Sequence, residues 1–286
     1  MTAPKTTEGI YLLSEIRARL RAQLELVDIE IGVRQSSEID QLLVDLVEAK
    51  VMHDSGSEDV LNDIFVLEKY VHLFVEYGLL WRQVADSQFT ESWDSLQNAF
   101  DLIRLIRRFS SLNVSAIENQ LYALETAYPY NIFFSMGAVV ERFECSICGK
   151  DIDSFECLHR KGELYRGKMA YGIARNIIQF DHVAMVKHPV DKRCVISYSN
   201  DAPQFSVVRY LGDLLTSRKL LVSNFGGVAW GKRRIPNPEH RCLTRNDPCY
   251  CHSGRKFKRC CIDKAYTEQD HAQILPAHSI IDRAGV

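Results

Sequence analysis

Apolar residues recur at spacings of three and four through roughly the first 130 positions, the period of helices with one buried face. Leu12, Ile16, Leu20, Leu24, Val27 and Ile31 form one stripe, and Ile39, Leu42, Leu43, Leu46 and Val47 form a second, with Ser36 or Ser37 as its N-cap. A third segment starts after Asp54-Ser55-Gly56-Ser57 and carries Val60, Ile64, Leu67, Val71 and Phe74 to about Trp81. Trp93, Leu96, Phe100, Ile103 and Ile106 mark a fourth. A fifth opens on Ser115 with Glu118 three positions later, a capping box, and runs through Ile117, Leu121, Leu124 and Tyr128 to a stop at Pro129. Five such stripes predict a helical bundle.

The pattern changes after Tyr128. Met169 to Ile178, Phe180 to Val186 and Cys194 to Tyr198 read as strands separated by Pro189 and charged turns. Val208, Leu211, Leu214 and Leu215 return to helical spacing within Phe205 to Leu221. Gly226-Gly227 and Pro236-Asn237-Pro238 then punctuate a stretch that reads as a linker.

Composition adds exclusions. The 286 residues are 46% hydrophobic and 25% charged with a net charge of −2, an ordinary globular balance without a polyelectrolyte signature. No apolar run is long enough to cross a bilayer, and the first twenty residues carry charges among their apolar positions, unlike a signal peptide. A cytoplasmic protein is the expectation. Charge is nonetheless segregated. Ser36 to Asp101 holds fourteen acidic and three basic residues, a net of −11, whereas Gly231 to Lys264 holds ten basic and three acidic, a net of +7. A basic end of this kind suits either a solvated face or an acidic partner.

The nine cysteines all follow position 144 and fall into two groups, with Cys194 and Cys242 apart. A disulfide scaffold belongs to short secreted chains, so grouped thiols here point to metal. Arg245 to Cys261 reads RNDPCYCHSGRKFKRCC, spaced Cys249-x-Cys251-x8-Cys260-Cys261. Thiolates one residue apart on an extended segment project to the same side, Ser253-Gly254 turns the chain, and Cys260-Cys261 completes four sulfurs. Four sulfurs close a tetrahedral zinc site with no open position, which is a structural and not a catalytic arrangement.

This stretch resembles the SEC-C zinc-binding motif, known from the C-terminal tail of the protein-export ATPase SecA and from small bacterial proteins. Asn246-Asp247-Pro248, both members of Cys249-x-Cys251, Ser253-Gly254, the basic residues around Phe257 and Cys260-Cys261 match the pattern RNDPCPCGSGKKYKKCC. The resemblance implies Cys249, Cys251, Cys260 and Cys261 as zinc ligands. Tyr250 stands where the pattern has Pro and His252 where it has Gly, which makes His252 a competing ligand. The resemblance covers the C-terminal region alone, and none of SecA's nucleotide-binding motifs is present.

Cys145-Ser146-Ile147-Cys148-Gly149 has the form of a zinc knuckle, and Cys157 and His159 follow to give Cys-x2-Cys-x8-Cys-x-His. A redox CxxC would open a helix in a βαβ setting, whereas this one precedes Gly and a polar loop. Cys145, Cys148, Cys157 and His159 are therefore expected to hold a second zinc. The segment Asp181-His182-Val183 is similar to a fragment of the HNH nuclease motif, but the remaining positions of that motif are missing. There is no P-loop, dinucleotide fingerprint, GxSxG or HExxH, so no enzyme is expected.

The sequence thus predicts an α+β chain binding two Zn2+: a helical bundle over 1–135, a zinc-knuckle β unit with a following helix over 136–225, a linker over 226–242, the SEC-C module over 243–264 and a tail over 265–286. The expected function is that of a protein-interaction module or adaptor, with Arg255, Lys256, Lys258 and Arg259 meeting the partner. By resemblance the partner would be an acidic protein such as SecB, or the ribosome. The alternative is a nucleic-acid-binding zinc protein, with Tyr250 or Phe257 stacking on bases.

Overall fold

The computed structural model describes residues 6–29, 37–54 and 56–278. Five helices come first: α1 (Thr7–Ile29), α2 (Ser37–Met52), α3 (Glu58–Ala85), α4 (Phe89–Phe109) and α5 (Ser115–Glu125). They are followed by β1 (Phe133–Cys145), β2 (Leu164–Tyr165), β3 (Lys168–Met169), β4 (Gly172–Val186) and α6 (Ser206–Thr216). The chain ends in β5 (Phe225–Pro236), a one-turn helix α7 (Pro238–Arg241) and β6 (Tyr266–Pro276). The strands form three two-stranded ribbons, β1 with β4, β2 with β3 and β5 with β6. The class is α+β, as expected. The chain divides into a larger unit, 1–226 with 276–286, and a smaller one, 227–275. Among the described residues no helix is long and apolar enough to cross a membrane.

The larger unit is built around α3. Ser57 caps its start by accepting from the Asp59 N–H, and the acidic Glu58 and Asp59 oppose the positive end of the helix dipole. Ile64, Leu67, Tyr70, Val71, Phe74, Tyr77, Leu80, Trp81 and Val84 are all buried, which covers more of the helix circumference than one amphipathic stripe. The stripes of α1, α2 and α4 pack on it, and so does α6. Gly212 of α6 lies so close to α3 that a β-carbon there would sit 2.6 Å from the Val84 carbonyl oxygen. Gln120 of α5 ties the centre together. It accepts from the Tyr77 hydroxyl at 2.6 Å and donates to the carbonyls of Val222 and Phe225 at 2.8 and 3.0 Å.

Several expectations change at this level. The Ser115–Glu118 capping box is absent: Val114 occupies the N-cap position, and Glu118 pairs instead with Arg107 of α4. Ser36 and Ile31 lie outside the described residues. The two strands read over Met169 to Ile178 and Phe180 to Val186 are one strand, β4, because bulges absorb the break in its alternation. Cys194 to Tyr198 lies outside any strand. The Phe134 N–H donates to the Cys194 carbonyl at 2.8 Å and the Thr90 hydroxyl to the Tyr198 carbonyl at 3.2 Å. Just before this segment the Trp93 indole donates to the Lys192 carbonyl at 2.9 Å, and Arg193 pairs with Asp101 and Asp191. The residues read as a linker, 226–242, include most of β5. Those read as a tail include β6, which had no apolar alternation to announce it.

Gln120→Leu should lower unfolding free energy by about 2–4 kcal/mol, since it leaves a buried hydroxyl and two carbonyls without their partner. Urea unfolding followed by helical circular dichroism measures this, and an unchanged midpoint would show that Gln120 does not hold the centre.

Candidate metal centres

The first cluster belongs to the larger unit and grows from the end of β1. Cys145 closes that strand and is buried, opposite Gly172 of β4. The chain turns at once: the Gly149 N–H donates to the Cys145 carbonyl at 2.9 Å, the Cys145 N–H to the Lys150 carbonyl at 2.7 Å, and the Ile147 N–H points at the Cys145 sulfur at 3.5 Å. Gly149 makes this turn at φ +72°, a left-handed conformation that costs a glycine nothing. Cys157 and His159 return to the same place after a short loop anchored by buried Ile152, whose N–H donates to the Phe143 carbonyl. The His159 ring meets Tyr165 edge-on at 4.7 Å.

Sulfurs about 2.3 Å from one tetrahedral ion lie ~3.8 Å from each other. Here Cys148 and Cys157 Sγ are 3.7 Å apart, and His159 Nδ1 is 3.7 Å from Cys145 Sγ and 3.9 Å from Cys157 Sγ. These are coordination edges, and they are far longer than the ~2.05 Å of a disulfide. All four expected ligands converge, and His159 presents Nδ1.

The second cluster belongs to the smaller unit. Cys249 and Cys251 Sγ are 3.4 Å apart, Cys251 and Cys260 3.4 Å, and Cys260 and Cys261 3.7 Å. In each cluster the four ligand atoms fall within 4.8 Å of one another. The turn between the cysteine pairs is closed by backbone bonds from Cys249 N–H to Arg255 carbonyl and from Phe257 N–H to Asp247 carbonyl. Cys249, Phe257 and Cys261 are buried, with Leu243, Tyr250, Cys260 and Ile262 packed on them. The His240 ring lies edge-on to Phe257 at 4.9 Å, and its Nε2 is 2.6 Å from the Ile262 carbonyl oxygen. Tyr250 therefore fills a packing position where the motif has Pro.

His252 is not among the converging ligands. It takes φ +57°, a conformation that favours glycine, so the motif's usual Gly at this position has a backbone reason. The Ser253 hydroxyl, absent from the expected site residues, sits 3.2 Å from Cys260 Sγ. Hydrogen bonds from its side chain and backbone pull the Cys251 thiol down to about 6. Burial pushes Cys261 up to about 12. The polar Ser-Gly turn was visible in the sequence; its reach toward the sulfurs was not. Among the described residues these two clusters are the groups that could hold a metal. His182 is exposed in the middle of β4, 2.9 Å from the Asp181 carboxylate, and joins neither cluster. Cys194 and Cys242 are exposed and also stand outside.

The SEC-C motif family matches residues 245–262. No curated protein and no solved structure matches the chain. The matched residues coincide with the second cluster, so the motif's zinc chemistry and the sulfur geometry agree there. Both donor sets, four thiolates in one cluster and three thiolates with an imidazole in the other, suit zinc in closed structural sites.

Elemental analysis should find two zinc ions per chain, falling to one in the Cys249→Ser, Cys251→Ser double variant. Zinc binding supplies about 10–16 kcal/mol to a small module, so chelation should unfold the C-terminal one while most helical dichroism persists. His252→Gly should keep both ions and relieve roughly 1 kcal/mol of left-handed strain. Loss of an ion on that change would make His252 a ligand after all.

Proposed function

We propose that this protein is a non-enzymatic adaptor whose C-terminal unit docks on an acidic surface of a protein partner. The observation that carries this reading is the state of four cations inside the metal-closed loop. Arg255, Lys256, Lys258 and Arg259 are all exposed, while the backbone between them is held. Lys256 bridges to Pro248, the Arg255 carbonyl accepts from Cys249, and the Lys258 N–H donates to the Arg245 carbonyl. The ligand cysteines bracket the four on both sides. Metal thus converts a flexible cationic segment into a fixed one, and a fixed cluster loses less entropy on contact. The likeness to the SecA tail makes an export chaperone such as SecB, or the ribosome, the first partner to test. The absence of recognised catalytic motifs in the sequence supports a role in binding instead of catalysis.

A second reading has its own observation. Lys232, Arg233 and Arg234 lie consecutively on exposed β5, in a two-stranded ribbon with β6, and such a ribbon fits the DNA major groove. Lys232 is paired with Glu268 at 3.4 Å, and Arg234 lies over the Tyr266 ring.

Changing Arg255, Lys256, Lys258 and Arg259 to Ala should weaken partner capture by at least roughly tenfold while zinc content stays at two. Stripping the zinc should weaken the same capture without removing a charge. Binding that survives chelation unchanged would reduce the module to a disordered polycation. A steep fall with salt together with competition by heparin or bulk RNA would favour the nucleic-acid reading.

A further inference from the structure

The ribbon of β1 and β4 has two unlike faces. Its register sets Phe134 opposite Met185, Met136 opposite Val183, Ala138 opposite Phe180 and Val140 opposite Ile177. Residues two apart along a strand share a face, so these four pairs form one continuous apolar strip. The strip stops where Arg142 lies opposite Arg175. The other face carries Ser135 with Ala184, Gly137 with His182, and Val139 with Gln179, and Asn176 donates to the Glu141 carboxylate there at 2.6 Å.

This segregation depends on two register shifts, between Gly137 and Ala138 and between Val139 and Val140. Each leaves an extra residue on β4, first Asp181 and then Ile178. An extra residue reverses the alternation that follows it. A regular β4 continuing from Met185 and Val183 would have placed Asp181 and Gln179 on the apolar face. The bulges instead set Phe180 opposite Ala138 and draw Ile177 up opposite Val140.

The strip is open to solvent. Relative exposure is 62% at Met136, 52% at Ile177, 62% at Phe180, 67% at Val183 and 73% at Met185. A two-stranded ribbon is marginal by itself, and an antiparallel sheet with one apolar face ordinarily covers that face. The ribbon is pinned towards its ends, by Phe133 stacked on Trp93 and by the metal cluster at Cys145.

We infer that two copies of this chain associate by packing these strips against each other. These five side chains, with Phe134, Ala138 and Val140 completing the rungs, offer roughly 600 Å² of apolar surface, the upper end of what a monomer leaves open. Two such faces bury about 1,200 Å² in total, which reaches the size of a specific interface. The four rungs carry no charge and no hydrogen-bonding side chain, so a polar ligand or a nucleic acid gains nothing on them. A second copy supplies the same uncharged strip, in the self-matching arrangement of a two-fold dimer with sheet faces about 10 Å apart.

Sedimentation equilibrium of the zinc-loaded full chain over roughly 1–100 µM should show a dimer. Phe180→Glu and Val183→Glu, on the strip, should each weaken it at least ~100-fold, because association would bury an unpaired carboxylate. Gln179→Glu, on the polar face, should leave it intact. Zinc content and helical dichroism confirm that each variant is folded. Hydrogen exchange on the unaltered protein supplies a test free of mutations: amides of 134–140 and 177–185 should exchange more slowly as concentration rises. A monomer throughout the range overturns the inference, as does exchange independent of concentration. So does a dimer that tolerates both strip carboxylates, or a monomeric strip that captures a different protein.

Discussion

Helix α3 buries about half of its residues, from Leu61 to Val84, and leaves only the side that carries Glu68, His72, Glu76 and Arg82 half-exposed to water. The larger unit is the arrangement that satisfies this constraint. Three helices and α6 each lay an apolar stripe on it, and removing solvent from so many large side chains is the main favourable term available. The cost of such burial is that polar atoms inside must find partners, and Gln120 and Tyr77 supply them to each other and to the chain leaving α6. The constraint also reaches the first metal cluster. Asn62 of α3 accepts from the Gly167 N–H at 2.8 Å, and Glu58 accepts from the Arg166 N–H at 3.3 Å. The β2–β3 turn is thereby fixed on the start of α3, and Tyr165, which flanks His159, comes with it.

The two clusters use the same coordination chemistry in different settings. Cys145 is the last residue of a long strand, and its cluster inherits order from the ribbon and from α3. The second cluster has a core of a few residues around Phe257, too little to fold a module of that size without the metal. Loss of the metal is expected to unfold this module and with it the arrangement of its four cations, which suits the proposed docking role. The β1–β4 ribbon adds a surface of the opposite kind, apolar and uncharged, placed by two bulges.

The sequence patterns located the helices well because burial on one side leaves a period of 3.6 that local spacing records. All four ligands of each cluster were also legible, since metal-binding turns are local and their spacing encodes the geometry. The Ser115–Glu118 pattern misled because a competing partner, Arg107, stands across the gap from α4. Residues such as Trp230 to Arg234 gave no strand signal because β5 is exposed on both faces there, and a strand without a buried side has no alternation.

What the sequence by itself determined was therefore local: the helical stripes, the two ligand sets, and the cationic loop between Cys251 and Cys260. Tertiary structure decided what depends on residues far apart in the chain. It joined Phe133–Cys145 to Gly172–Val186 across a metal-tied excursion and set the bulges that put Phe180 opposite Ala138. It also left His252 out of the ligand set and gave it a left-handed backbone. The physical reason is that spacing along a chain records which side of one element a residue occupies, whereas register, pairing and exposure belong to two elements at once.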